Sequence, residues 1–195
     1  MELIWILLIL FVVVLVWVVS NYNFFVSAKA RIKAAIQEIG NQLKRQADLI
    51  PNLEVSAKGY LKHEKGIYKD LTDARKSINA ALKSGDLQKM ADAGSKLAEV
   101  LPNIQVVVES NPELKGSDVV TKLMDELRDT SDKVMYSRRL LIDLSADYNV
   151  RRVSFPSNVI ANIFNFGEMK GLETAESGEH TRVSEAEMKT PKVDL

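Results

Sequence analysis

His63 and Glu64 are the first residues that invite a chemical reading, because a His-Glu pair opens the helical motif with which zinc proteases hold their metal. That motif needs a second histidine one turn later on the same face, and Ile67 stands there instead. His180 is the only other imidazole, and the chain has no cysteine. Disulfides, thiolate zinc sites, iron–sulfur clusters and cysteine nucleophiles are therefore excluded together. Serine, lysine and aspartate are plentiful, yet no glycine-rich phosphate loop, nucleophile elbow or paired-carboxylate motif accompanies them. No catalytic residue, metal ligand or cofactor is assigned.

A second group is Arg45, Asp48, His63, Glu64, Arg75 and Arg138, with Arg139 beside the last. If a fold gathers them, they form a polar cluster of the kind that binds phospholipid headgroups or phosphate. The favoured expectation is plainer: ion pairs between helices that set their register.

All of these residues fall within helical patterns, and the chain opens on a different one. From Leu3 to Val19 the sequence is unbroken apolar residues without charge, glycine or proline. At roughly 0.3 to 0.6 kcal/mol per such residue near the bilayer centre, insertion is favoured by several kcal/mol. The run nearly reaches the length of about 20 residues that a span requires. Leu3, Trp5, Leu10, Phe11, Trp17 and Val19 are read as membrane-anchor residues, within an anchor over residues 1–22. Cleavage as a signal peptide is not expected, since Glu2 replaces the basic leader and Val-Val-Ser-Asn-Tyr lacks a small-x-small site. Lys29, Arg31, Lys33, Lys44 and Arg45 follow the run, so the positive-inside rule puts the bulk of the chain in the cytoplasm, with the opposite orientation as the alternative.

Beyond the anchor, apolar residues recur at three- and four-residue steps. Ile32, Ile36, Ile39, Leu43 and Ile50 form one stripe, expected to end near Ala47 because Pro51 starts a new helix, with a kinked continuous helix as the alternative. A second helix from Pro51 should stop at Ser84-Gly85, with Asp86 capping the next. A third runs from Leu87 past Pro102 to Val108, and a loop spans Asn111 to Gly116. A fourth, capped by Ser117 or Asp118, carries Val120, Leu123, Leu127, Val134, Leu141 and Tyr148 and closes before Phe155-Pro156. The fold class expected is all-α: an N-terminal transmembrane helix, an antiparallel four-helix bundle within residues 23–166, then a disordered acidic tail over 167–195.

Between bundle and tail lies a dense apolar segment with Val159, Ile160, Ile163, Phe164 and Phe166. It reads either as a lid on one end of the bundle or as an assembly contact that docks on a neighbouring copy or the membrane interface. The whole chain offers partners little electrostatic attraction, because 26 basic residues balance 26 acidic ones, and nucleic acid is not expected.

Asn21-Tyr22-Asn23, Gln42-Leu43-Lys44-Arg45, Asp48-Leu49-Ile50-Pro51-Asn52-Leu53, Lys58-Gly59-Tyr60 and Lys62-His63-Glu64 lie in that order along the chain. Asp73-Ala74-Arg75, Pro112-Glu113-Leu114-Lys115, Arg138-Arg139, Tyr148-Asn149, Phe155-Pro156-Ser157-Asn158 and Ile160-Ala161 follow. Over residues 21–166 the chain thus resembles the LemA family of bacterial membrane-anchored proteins. The resemblance implies a short outside terminus, an anchor, a cytoplasmic helical bundle and no established biochemical activity. It also implies a membrane-organising role, since some relatives belong to protein sets that shape internal bacterial membranes. The chain departs from the pattern at Leu141-Ile142, where the family usually shows Tyr-Asn, and at Glu54, where an apolar residue is usual. The function expected is a non-enzymatic, self-associating scaffold of the inner membrane, with the lipid bilayer and further copies of itself as partners. An adaptor that recruits a cytoplasmic protein is the alternative, and an enzyme the second alternative.

Overall fold

The structure, a computed structural model, describes residues 1–61 and 65–172. Its first element, α1 (Glu2–Ser56), is one helix of 55 residues, about 80 Å long at 1.5 Å per residue. Residues 3–16 are exposed throughout, whereas Phe25, Ile32, Ile39, Leu43, Ile50 and Leu53 are completely buried. The expected break at Pro51 is corrected: the helix continues through it. An interior proline costs about 3 kcal/mol, but burying Ile50 and Leu53 beside it is worth roughly 1.5 to 3 kcal/mol each, so the stripe outweighs the lost backbone bond. The helix stops at Ala57, whose N–H still donates to the Leu53 carbonyl.

A single turn, α2 (Lys58–Leu61), precedes α3 (Lys65–Ser84). Helix α3 ends where expected: Gly85 takes φ +64°, a left-handed conformation that glycine adopts without steric cost. The Asp86 side chain then accepts from the Lys89 N–H and caps α4 (Leu87–Ser110), which also runs through its proline, Pro102. The expected loop at 111–116 contains a turn of helix, α5 (Pro112–Lys115), with proline at a first-turn position where its missing N–H costs nothing. Ser117 caps α6 (Asp118–Val153), the longest element after α1. The apolar segment begins with a short helix, α7 (Ser157–Ile163).

All regular structure among the described residues is helical. Helix α6 packs along α1, and the contacts of Phe25 with Tyr148 and Arg45 with Glu126 show that the two run antiparallel. Helix α3 packs on α4 and on the far end of α1, while α4 also packs on α6. Gly94 marks the tightest crossing: a Cβ there would lie 2.9 Å from Val134 Cγ1 and 3.5 Å from Leu43 Cδ2, so α4 seats between α1 and α6 only because the side chain is missing.

One boundary moves. The polar tail was expected to be free from Gly167, but residues 167–172 fold back along α6. The Asn149 side chain pairs with Met169 twice, donating to its carbonyl at 2.8 Å and accepting from its N–H at 3.0 Å. The Tyr148 hydroxyl donates to the Gly167 carbonyl at 3.0 Å. Leu172 is buried, and Gly171 lies against Ser145 at a distance that leaves little room for a Cβ. These backbone partners come from side chains of α6, which is why a polar composition can still be ordered there. The expected tail over 173–195 lies outside the described residues.

Candidate functional site

The polar residues singled out from the sequence are spread over several helix pairs. Arg45 ion-pairs with Glu126, joining α1 to α6. Arg75 approaches Glu54 at 4.0 Å, joining α3 to α1, and the same glutamate accepts from the Thr72 hydroxyl at 3.0 Å. Arg138 donates to the Ser95 hydroxyl, joining α6 to α4. Asp48 and Arg139 are exposed, and His63 and Glu64 lie outside the described residues. Arg45, Arg75 and Arg138 therefore meet three different partners on three helix pairs. The Arg45–Glu126 pair is open to solvent on both sides and contributes about 0 to 1 kcal/mol. Sequence reasoning noted Glu54 only as a departure from the family pattern and missed Glu126. Neither position announces which neighbouring helix its face meets.

The denser constellation sits where the apolar part of α1 enters the folded body. Tyr22 packs edge-on against Phe164 with ring centres 4.9 Å apart, and Phe25 stacks on Phe166 at 4.9 Å and meets Tyr148 at 5.4 Å. Offset and edge-to-face ring pairs add about 0.5 to 1.5 kcal/mol each beyond the area they bury. Asn21 is buried; its amide donates to the Trp17 carbonyl, and its oxygen accepts from Arg151 at 3.3 Å. The Arg151 guanidinium lies 4.0 Å from the centre of the Phe24 ring, a cation–π contact. Burial pushes the Tyr148 phenol above its ordinary value of 10.0, with Arg152 pulling the other way.

Of the expected assembly residues, Ile160 is buried and Phe166 packs into this aromatic cluster, so these two close the fold. Val159, Ile163 and Phe164 present apolar surface to the outside. A separate groove of about 520 Å³ runs between α1 and α6, lined by Arg31, Ala34, Glu38, Tyr136 and Leu140 among others. Among the described residues, no group of three or more histidines or acids lies close enough together to hold a metal ion. The arrangement suits packing and surface contact.

The model of the LemA family matches residues 35–187. The chain belongs to the LemA family. The match starts partway along α1, so the Leu3–Val19 run and the Asn21-Tyr22-Asn23 stretch lie before it, and it extends past Leu172. Most of the packed body of this LemA chain, from Ala35 through α7, falls within it, while the buried Phe25, Ala28 and Ile32 precede it. No curated protein matches the chain. Helix α1 is long and apolar enough to cross a membrane, and the apolar window that qualifies it is wholly exposed.

Proposed function

We propose that this LemA protein is a non-catalytic, single-pass scaffold of the bacterial inner membrane. Its four long helices act as one antiparallel four-helix bundle on the cytoplasmic face, and neighbouring bundles associate laterally. The observation that supports this reading is the continuity of α1, which passes from an exposed apolar run into the buried stripe without a linker. A span joined in this way fixes the tilt and rotation of the body it carries, and a body of fixed orientation can meet its neighbours repeatedly through the same face. Confinement to a surface raises the effective concentration, so weak lateral contacts suffice. Helix α6 offers such a face in the exposed Tyr136 and Leu140, which line the groove it shares with α1.

The test is full-length protein reconstituted in vesicles and examined by electron microscopy, with sedimentation in detergent alongside. Repeating assemblies are expected without any added partner. Replacing Tyr136 and Leu140 with Glu should shift the protein to smaller species while helix content and melting are kept. Monomers at every surface density would refute the scaffold. A C-terminal reporter active only outside the cytoplasm should stay silent, and strong activity would reverse the orientation.

A further inference from the structure

The end of the body nearest the apolar run exposes large hydrophobic residues on two elements at once. On and just after α6 these are Val150, Val153 and Phe155, the last 84% exposed; on and after α7 they are Val159, Ile163 and Phe164, with Ile163 65% exposed. Helices α6 and α7 pack on each other, and large apolar side chains left exposed on two neighbouring elements point to a contact.

The antiparallel register of α1 and α6 says where the patch lies. Arg45 stands beside Glu126, Phe25 beside Tyr148, and Asn21 beside Arg151. Continuing that register to the end of α6 brings Val153 level with Val19, the last residue of the apolar run, and Phe155 stands two residues past that end. Exposure along the run agrees: residues 3–16 are bare, whereas Trp17 and Val18 are partly covered. Phe164, packed on Tyr22, sits one turn further along α1. The body therefore overlaps the last turn of the run and does not hang below it.

We propose that Val153, Phe155, Val159, Ile163 and Phe164 form a collar that enters the lipid interface around the base of α1. The inference rests on the reading of the Leu3–Val19 run as a membrane span. Its occupant is the acyl and headgroup boundary of the same leaflet, because α1 carries these side chains to that depth whether or not a second copy is present. Apolar side chains on turns and short helices partition at this boundary, as interfacial helices do. Aromatic rings such as Tyr22 and Phe164 settle there as well. Arg151 and Arg152, at the end of α6, lie level with the headgroups, where guanidinium is favoured over anionic lipid. Arg151 is held by Phe24 and Asn21 and Arg152 lies 3.8 Å from Glu168, so both are positioned before any lipid is met.

The chain has no cysteine, so single cysteines can be introduced directly into the full-length protein and labelled with an environment-sensitive fluorophore. The informative positions are Leu10→Cys in the run, Phe155→Cys and Ile163→Cys in the collar, and Val119→Cys, which is exposed at the far end of α6. Each variant is reconstituted in phosphatidylethanolamine–phosphatidylglycerol vesicles doped with a lipid spin-labelled near the headgroup or deep in the acyl chain. The collar probes should be quenched severalfold more than the Val119 probe, chiefly by the shallow label. The Leu10 probe should respond to the deep one, and neither response should change as protein is diluted into lipid. Quenching at Leu10 with collar probes that behave like Val119 overturns the collar and leaves the span standing. Collar probes that shift emission only at high protein density, without lipid quenching, face a second copy, and that too overturns the proposal. An unquenched Leu10 probe removes the span and the collar together. Phe155 and Ile163 lie on different elements and are both largely exposed, so a folding defect at one leaves the other to decide.

Discussion

Adding one methyl group at Gly94 tests the helix crossing from the inside. In an isolated helix, Gly→Ala is stabilising by about 1 kcal/mol, because glycine loses more backbone freedom on folding. Here the new Cβ would come 2.9 Å from Val134 Cγ1. Valine is branched at Cβ and confined to essentially one rotamer in a helix, so it cannot turn aside. Overpacking of this kind costs about 1 to 3 kcal/mol, and the balance makes Gly94→Ala destabilising by roughly 0 to 2 kcal/mol. In a Val134→Ala background the obstruction is gone, and the same substitution should become neutral or stabilise by up to about 1 kcal/mol. The two changes should therefore couple by roughly 1 to 3 kcal/mol, as residues in contact do. Gly40 provides the contrast: its nearest neighbour is the terminal methyl of Met90 at 3.3 Å, a flexible group that can yield, so Gly40→Ala should gain some of its helix propensity. The assay is urea unfolding of the four proteins in detergent micelles, followed by far-UV circular dichroism. If Gly94→Ala stabilises the native chain as much as it does the Val134→Ala variant, the helices do not approach this closely and the crossing is wrong.

Three further outcomes follow from individual side chains. Gln46 is completely buried, and neither its amide nitrogen nor its oxygen has a partner among the described residues, so Gln46→Met should stabilise by about 1 to 3 kcal/mol in the same urea assay; a comparable loss would mean that the amide is bonded after all. Asn149→Ala removes both bonds to Met169 and should release residues 167–172, measured as faster hydrogen exchange there while exchange in α1 stays unchanged. The phenol of Tyr148 is raised, so its neutral form is the one the fold favours; that contribution is complete below pH 10.0 and is lost as pH rises through the higher folded value. Stability measured from pH 9 to 12 should accordingly fall more steeply in the native protein than in Tyr148→Phe, and parallel curves would contradict the burial.

Local chemistry made much of this fold legible. Gly85 and Asp86 end one helix and start the next through backbone needs that few other residues meet, and Ser117 opens α6 by capping it. Ile32, Leu43, Leu71, Leu97 and Leu127 lie on helical stripes, and all are fully buried. Pro51 misled because its penalty is local, while the burial that overrides it comes from helices far away in sequence. The polar residues were harder still. Spacing assigns Arg45, Arg75 and Arg138 to helix faces but does not say which neighbour each face meets, so ion pairs between helices are the favoured reading while their partners stay unnamed. Residues 167–172 were hidden for a related reason: their order depends on Asn149, a residue whose backbone-like amide looks no different in sequence from one facing water.

The unbroken course of α1 has a mechanical consequence. If its apolar end is seated in a bilayer, the helix is a lever with its fulcrum near Ser20 and a free arm of about 50 Å reaching to Ser56. Spans tilt by about 20° on average and adjust as the surrounding hydrocarbon thickens or thins. With no joint to absorb the change, a tilt altered by only ~10° would sweep the far end of the body sideways by roughly 9 Å, about the distance between two packed helices. Bilayer thickness would then be converted directly into the spacing between neighbouring molecules.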